Sequence, residues 1–310
     1  MSKNKWTLAD MPDLSGKVII VTGGNGGLGF QAVKAFANKG AEVVIACRSD
    51  KKGEAAKTEI QKLQPDAKIA VMKLDLSDFS SVRSFADTFN AGYNQLDILL
   101  NNAGIMMTPY GKTVDGIELQ QGTNYFGHFL LTGLLMEKLR STPKSRVVCV
   151  SSIAHKTGKM NFHDLLYEKD EKYTPMGAYS RSKLEALHFT FGLQHYFKSN
   201  KIDAIATVAH PGVSDTNLFN QIGSDFFRKL FMPLFKWFVQ PADMGALPLL
   251  RAAVDPEAKG GEFYGPDGMG GVKGYPVVVK AKKHAYKEKH TRKLWKYSEK
   301  ITGIKFEKYK

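Results

Sequence analysis

The stretch VIIVTGGNGGLG, Val18 to Gly29, runs directly into the helical pattern of Phe30–Asn38, and its reading decides the fold. Four apolar residues make a short buried strand. The glycines that follow allow positive φ, close approach of the backbone to a pyrophosphate, and packing of helix on strand. The helix N-terminus behind them favours an anion. A glycine cluster can also be a purely structural turn, but strand, turn and helix in this order at the head of an alternating chain point to nucleotide binding. Two spacings overlap: Gly24, Gly26 and Gly29 fit GxGxxG, whereas Thr22 and Gly23 with Gly27 and Gly29 fit TGxxxGxG.

Outward from this loop, charge-poor runs rich in Val and Ile recur at 18–21, 43–47, 69–74, 98–100, 147–150 and 205–209 and read as buried strands. Helix-length segments lie near 28–39, 53–64, 79–91, 117–140 and 177–199. The alternation predicts an α/β fold: a Rossmann-like doubly wound parallel sheet in three layers, α/β/α. After about residue 210 come an aromatic stretch at 225–239, a helix near 242–253 and GGEFYGPDGMGG, read as a Gly-rich turn region. No linker or repeat interrupts the chain. Residues 1–310 are therefore expected to form one domain, with an aromatic segment near 220–240 and a basic C-terminal helix near 282–306.

The 310 residues are 43% hydrophobic and 24% charged, enough apolar side chains for a large core. The formal charge of +14 is uneven: residues 280–310 carry 11 Lys, 1 Arg and 3 Glu, a net +9. A basic balance can mark a nucleic-acid or acidic-membrane partner. Here it belongs to a tail in which Leu294, Tyr297, Ile301 and Ile304 recur at helical spacing. That pattern predicts a closing helix with solvent-facing lysines, and no specific nucleic-acid partner. Cys47 and Cys149 fall in strand-like runs and read as structural thiols, and the His residues show no paired-ligand spacing, so no metal is expected. The N-terminus lacks the apolar core of a signal peptide, and no run of about 20 apolar residues could span a membrane. A cytoplasmic protein is expected.

The second strand ends at Cys47-Arg48-Ser49, where an NAD-specific site would present Asp or Glu to the ribose 2′-hydroxyl. A guanidinium there suits a 2′-phosphate, so NADP(H) is expected over NAD(H), with an ordinary surface arginine as the bland alternative. Tyr179 and Lys183 in YSRSK stand at i and i+4, on one helix face. A phenol titrates near pH ~10, and an ammonium beside it favours the phenolate, so the pair could exchange a proton with a carbonyl or alcohol oxygen. YxxxK is frequent by chance. Its context is Ser151-Ser152 after the fifth strand, Asn101-Asn102-Ala103-Gly104 after the fourth, and Asn124 early in the next helix.

With TGGNGGLG, Asp75 in LDLS, NNAG, Asn124 in TNYFGH, Ser152 in VSSIAH, YSRSK and HPGVSDT in this order, the chain resembles the short-chain dehydrogenase/reductase family over nearly its whole length. TVDGIELQQGTNYFGHFLLTGLL, RVVCVSSIAH and ACR look most similar to its retinol-dehydrogenase-like branch and that branch's bacterial relatives. The resemblance implies a catalytic tetrad of Asn124, Ser152, Tyr179 and Lys183. Tyr179 would be the general acid–base, with Lys183 lowering its pKa and binding the nicotinamide ribose. Ser152, with Ser151 as the alternative, would position the carbonyl, and Asn124 would hold a water linking Lys183 to solvent. The resemblance also implies cofactor contacts at Thr22, Gly23, Asn25, Gly27, Leu28, Gly29 and Arg48; at Asp75, by the adenine, and Leu76; at Asn101, on the adenosine side, Ala103 and Gly104; at Tyr179 and Lys183; and at Pro211, Gly212, Val213 and Thr216 near the nicotinamide amide and phosphates.

Ser152 and Tyr179 are 27 positions apart, farther than in most of the family, so an insertion, HKTGKMNFHDLLYEKDEKYTP, borders the site, as in that branch. Its His155 and His163 read as loop-surface histidines. In this family the region of 225–239 is a substrate lid, which implies a lipophilic substrate; a core helix and an interfacial membrane helix are the other readings. The expected activity is hydride transfer between NADP(H) and the carbonyl or alcohol of a small lipophilic molecule. A sugar-nucleotide epimerase or dehydratase, a C=C reductase and a non-catalytic NADP-binding adaptor are the alternatives. TGxxxGxG argues against the first, and a complete tetrad against the last.

Overall fold

The computed structural model describes residues 5–168, 173–214 and 240–306. Val18–Thr22, buried throughout, forms β1, followed by α1 (Gly27–Asn38), β2 (Glu42–Cys47), α2 (Asp50–Leu63), β3 (Ile69–Lys73), α3 (Phe79–Gly92) and β4 (Ile98–Asn101). Polar caps set the helix starts: Ser49 Oγ accepts from Lys52 N ahead of α2, and Asp78 Oδ1 accepts from Ser80 N and Ser81 N ahead of α3. The second half adds α4 (Leu119–Gln121), a π turn (Gly122–Phe126), α5 (Gly127–Leu134), α6 (Met136–Ser141), β5 (Ser145–Val150), α7 (Pro175–Ser199), β6 (Ala204–Ala209), α8 (Ala242–Val254), β7 (Phe263–Gly268), β8 (Lys273–Val279) and α9 (Glu288–Thr302).

The strands build one sheet in the order β3-β2-β1-β4-β5-β6-β7-β8, parallel except for β8. Strand alternation divides the core: Ile19, Val21, Val43 and Ile45 pack with α1, α2 and α8, whereas Ile20, Val44, Leu99 and Val147 pack with α3, α5, α7 and α9. This is the three-layer Rossmann-like α/β architecture that the alternating pattern predicts. The order reverses between β1 and β4, which opens a crevice at the C-terminal ends of the strands.

Several expectations change. GGEFYGPDGMGG contains β7: Phe263 and Tyr264 are buried and pair with β6, while Gly261, Gly270 and Gly271 provide left-handed turns on either side. Pro266 stands opposite Pro276, beyond the residues bonded to β6, where a missing N–H is tolerated. The helix expected over 117–140 is interrupted by the π turn and again at Leu135. His155 is buried rather than on a loop surface; its Nδ1 donates to Ser152 O (2.7 Å) and its Nε2 accepts from Lys282 N (3.4 Å). His163 is exposed.

The closing helix forms as α9. Leu294 and Trp295 are buried, Trp295 packs on Phe129 and Phe306, and Lys289, Arg292, Lys293, Lys296 and Lys300 face solvent. Gly303 ends it at φ 69°, and Arg83 Nη2 donates to Thr302 O at 2.7 Å. Both cysteines are free and buried. Among the described residues no helix is long and apolar enough to cross a membrane, and no group of three or more His, Cys, Asp or Glu could hold a metal. The aromatic stretch 225–239 lies outside the described residues.

Candidate active site

The crevice is a cavity of about 460 Å³. Of the residues singled out in the sequence, Gly23, Asn25, Gly27, Leu28, Arg48, Asp75, Leu76, Ala103, Gly104, Ser152, Tyr179, Lys183, Pro211, Gly212 and Val213 line it. Two glycines keep its floor open. Gly23 has φ +68°, and a Cβ there would meet Ala103 Cα at 3.1 Å; a Cβ at Gly29 would strike the Gly23 carbonyl. No side chain caps α1, so its first N–H groups are left for an anion in the cavity.

Four of the predicted residues do not line it. Thr22 is fully buried behind the loop, where its Oγ1 accepts from Asn102 N and Ala103 N, both at 2.9 Å. Gly29 serves by its lack of a side chain. Asn101 is a correction: it is the last residue of β4, its Nδ2 turns into the core to Thr132 Oγ1 (3.1 Å), and Asn102 lines the cavity in its place. Asn124 sits behind the wall, its Oδ1 accepting from Ile105 N (2.8 Å) and its Nδ2 donating to Ile105 O and Ser182 Oγ. Thr216 lies outside the described residues.

The Ser151 hydroxyl is committed to Lys183 O at 2.7 Å, whereas Ser152 Oγ, which accepts from Ala154 N at 3.2 Å, neighbours the Tyr179 phenol across the cavity wall. Burial pushes that phenol up to about 12, with the neighbouring Ser152 hydroxyl pulling the other way. The downward shift expected from Lys183 is therefore not the outcome here. Lys183 Nζ donates to Val150 O (3.0 Å), lies 5.7 Å from the Tyr179 ring centre, and is itself pushed by burial down to about 8. A methyl at Gly104 would stand 3.1 Å from Asn124 Oδ1 and 3.4 Å from Lys183 Nζ, so both flank the same bare backbone.

The model of the short chain dehydrogenase family matches residues 17–226. The chain belongs to this family. It is 40% identical over 294 residues to retinol dehydrogenase 12 of Homo sapiens, covering 95% of this chain and 89% of that one. It is 43% identical over 242 residues to retinol dehydrogenase 11 of Homo sapiens, covering 78% and 74%. A solved structure from Mycobacterium paratuberculosis superposes with a TM-score of 0.82 at 38% identity, covering 98% of this chain and 99% of the other. Short-chain dehydrogenases are oxidoreductases that use a nicotinamide cofactor, and the residues present fit one: an uncapped helix terminus behind a bare glycine floor at one end, and Tyr179 beside Lys183 at the other.

Other residues around the cavity of this short-chain dehydrogenase stand outside the sequence motifs. Lys52, on the first turn of α2, and Ser49 line the cavity beside Arg48; the Lys at 52 was legible as a cation one turn past the β2 end. His128 was not. Its Nδ1 bonds the Asn124 carbonyl (3.1 Å), and since a carbonyl only accepts, Nδ1 carries the proton and Nε2 accepts from Thr22 Oγ1 at 2.9 Å. Burial holds the ring neutral, down to about 4. One imidazole thus ties the glycine-loop strand to the Asn124 turn. The insertion is stitched down by Arg181, which donates to the carbonyls of Lys159, Asp164 and Leu165 and covers the Tyr167 ring at 3.9 Å.

Proposed function

We propose that this protein is an NADP(H)-preferring oxidoreductase that interconverts a lipophilic alcohol and its carbonyl compound, with Tyr179 as general acid–base. The observation that carries the reading is the meeting of Ser152, Tyr179 and Lys183 on one wall of a cavity whose other end presents α1, Arg48 and Lys52. The bound nicotinamide supplies or accepts the hydride.

In reduction the substrate carbonyl oxygen lies against the Ser152 and Tyr179 hydroxyls. Tyr179, kept protonated by burial, gives up its phenolic proton as negative charge develops on that oxygen. Lys183 titrates near neutrality, so an anion in the cavity, including the nascent phenolate, favours its charged form. Asn124, fixed by Ile105 and Ser182, holds the far side of Gly104 for a proton path from Lys183. Alcohol oxidation runs the same steps backwards. Arg48 and Lys52 are the cations available to a 2′-phosphate, and no carboxylate stands at the Arg48 position. The lipophilic substrate class is supported by Ile105, Met106 and Ile153 on the cavity wall and by the resemblance to retinol dehydrogenases.

The test is turnover of NADPH with a panel of retinoid, steroid and simple aromatic aldehydes and ketones. Tyr179→Phe is expected to abolish turnover while NADPH still binds, measured by cofactor fluorescence. Undiminished turnover in that variant across the panel would refute the assignment.

A further inference from the structure

One buried acid has no part in this chemistry. Glu185 lies on α7 two residues beyond Lys183 and is 0% exposed. Its Oε1 accepts from Gln121 Nε2 at 2.7 Å, and Gln121, equally buried, immediately precedes the π turn that carries Asn124. Four titratable groups surround the pair. Arg181, on the same helix, spends its guanidinium on three backbone carbonyls of the insertion and on the Tyr167 ring. Glu118 is buried with its carboxylate on the N–H groups of Gln120 and Gln121, and Tyr167 and Tyr173 come from the insertion, the Tyr173 phenol donating to Thr108 O at 2.8 Å with Glu118 Oε1 3.4 Å away. No ion pair reaches Glu185 among the described residues.

Two atoms of the pair lack a partner: Glu185 Oε2 and Gln121 Oε1. With the acid ionised both are acceptors, so neither can satisfy the other, and a charge is buried without a counter-ion. A single proton on Oε2 removes the charge and gives each orphan its bond.

We infer that Glu185 is a carboxylic acid in the folded protein, joined to the Gln121 carboxamide by two opposed hydrogen bonds, and that this neutral pair positions the Asn124 turn against the helix of Tyr179 and Lys183. The first bond is Gln121 Nε2–H to Glu185 Oε1; the second is Glu185 Oε2–H to Gln121 Oε1. Burial, with Glu118 adding to it and Arg181 opposing it, raises the carboxyl from 4.5 to about 8. A raised folded-state value means that the stabilisation is complete below the unfolded value and is lost as pH rises through the folded one. Across that interval the folding constant falls about tenfold per pH unit from this group. The positioning half rests on the catalytic reading above; the protonation half does not.

The experiment is urea unfolding of the full chain and of Glu185→Gln from about pH 5.5 to about pH 8.5, where the variant keeps an amide donor at every pH. Relative to the variant, wild type is expected to lose about tenfold in folding constant per pH unit up to about 8. Parallel curves overturn the protonated acid. An infrared titration of wild type alone is the second measurement: a protonated-carboxyl band at neutral pH that disappears above about 8 is expected, and its absence at neutral pH overturns the inference even if the variant fails to fold. For positioning, wild-type kcat should fall over the same alkaline range while the cofactor KM holds, and Glu185→Gln should lessen that fall to the part that Lys183 alone sets. Identical kcat profiles for the two proteins refute positioning without touching protonation, and a protein with no turnover refutes the proposed function while both stability measurements still stand.

Discussion

Replacing Arg48 by Ala should change which cofactor is used and leave the chemistry alone. Arg48 and Lys52 line the same mouth of the cavity, at the end of β2 and on the first turn of α2, and both are exposed. A charge-assisted hydrogen bond to phosphate contributes about 1.5–3 kcal/mol. Exposure and counter-ions reduce this to about 1–2 kcal/mol for each cation. Because about 1.4 kcal/mol is a tenfold change, Arg48→Ala should lower kcat/KM for NADPH roughly tenfold, and Arg48→Ala with Lys52→Ala roughly a hundredfold. NADH lacks the phosphate, so its kcat/KM should stay within about twofold. The assay is initial-rate kinetics with both cofactors and one aldehyde, at low and at physiological salt. The wild-type preference should shrink as salt rises, since screening acts on the phosphate contacts and not on hydride transfer. Equal losses with both cofactors would show that Arg48 supports the fold or the shared part of the nucleotide. An unchanged ratio would place the 2′-phosphate elsewhere or remove it from the reading.

Three further outcomes follow from the packing. Trp295→Ala removes a buried ring that touches Phe129, Phe189 and Phe306 and should cost about 3–5 kcal/mol in urea unfolding; a loss under about 1 kcal/mol would mean that α9 does not close the core. His128→Leu leaves the Thr22 hydroxyl only the distant Leu100 carbonyl (3.4 Å) and removes the bond to the Asn124 carbonyl, for a loss of about 2–4 kcal/mol, and combining it with Thr22→Val should cost less than the sum because the weakly satisfied donor is gone. Strict additivity would break the proposed link. Gly104→Ala puts a methyl 3.1 Å from Asn124 Oδ1 and should lower kcat roughly tenfold with little change in melting temperature; a kcat equal to wild type would detach Asn124 from turnover.

What could be read from the chain alone divides by the range of the interaction that decides it. Tyr179 and Lys183 were legible because one helix carries both, four residues apart, and β1, β2, β4, β5 and β6 because burial on both faces writes itself as apolar runs, while the half-buried edge strand β3 was legible by its Ile and Val alone. β7 was not, because Gly, Pro and Asp set its local propensity while pairing with β6 makes it a strand. Asn101 and Asn102 are a sharper case. Asn101 ends β4 and Asn102 follows it, alternation sends one into the core and the other to the cavity, and only the position of Thr132 on α5 says which. His128 and Glu185 are hidden in the sequence for the same physical reason. A single histidine in an apolar helix reads as packing until Thr22, 106 positions away, shows where its second nitrogen points. Glu185 reads as a solvent-facing acid until Gln121, 64 positions away, shows that it is buried against an amide with one hydrogen bond too few. Chemistry carried by one element can be inferred from spacing, but the polar ties that hold elements in register appear only once the strands have brought their two ends together.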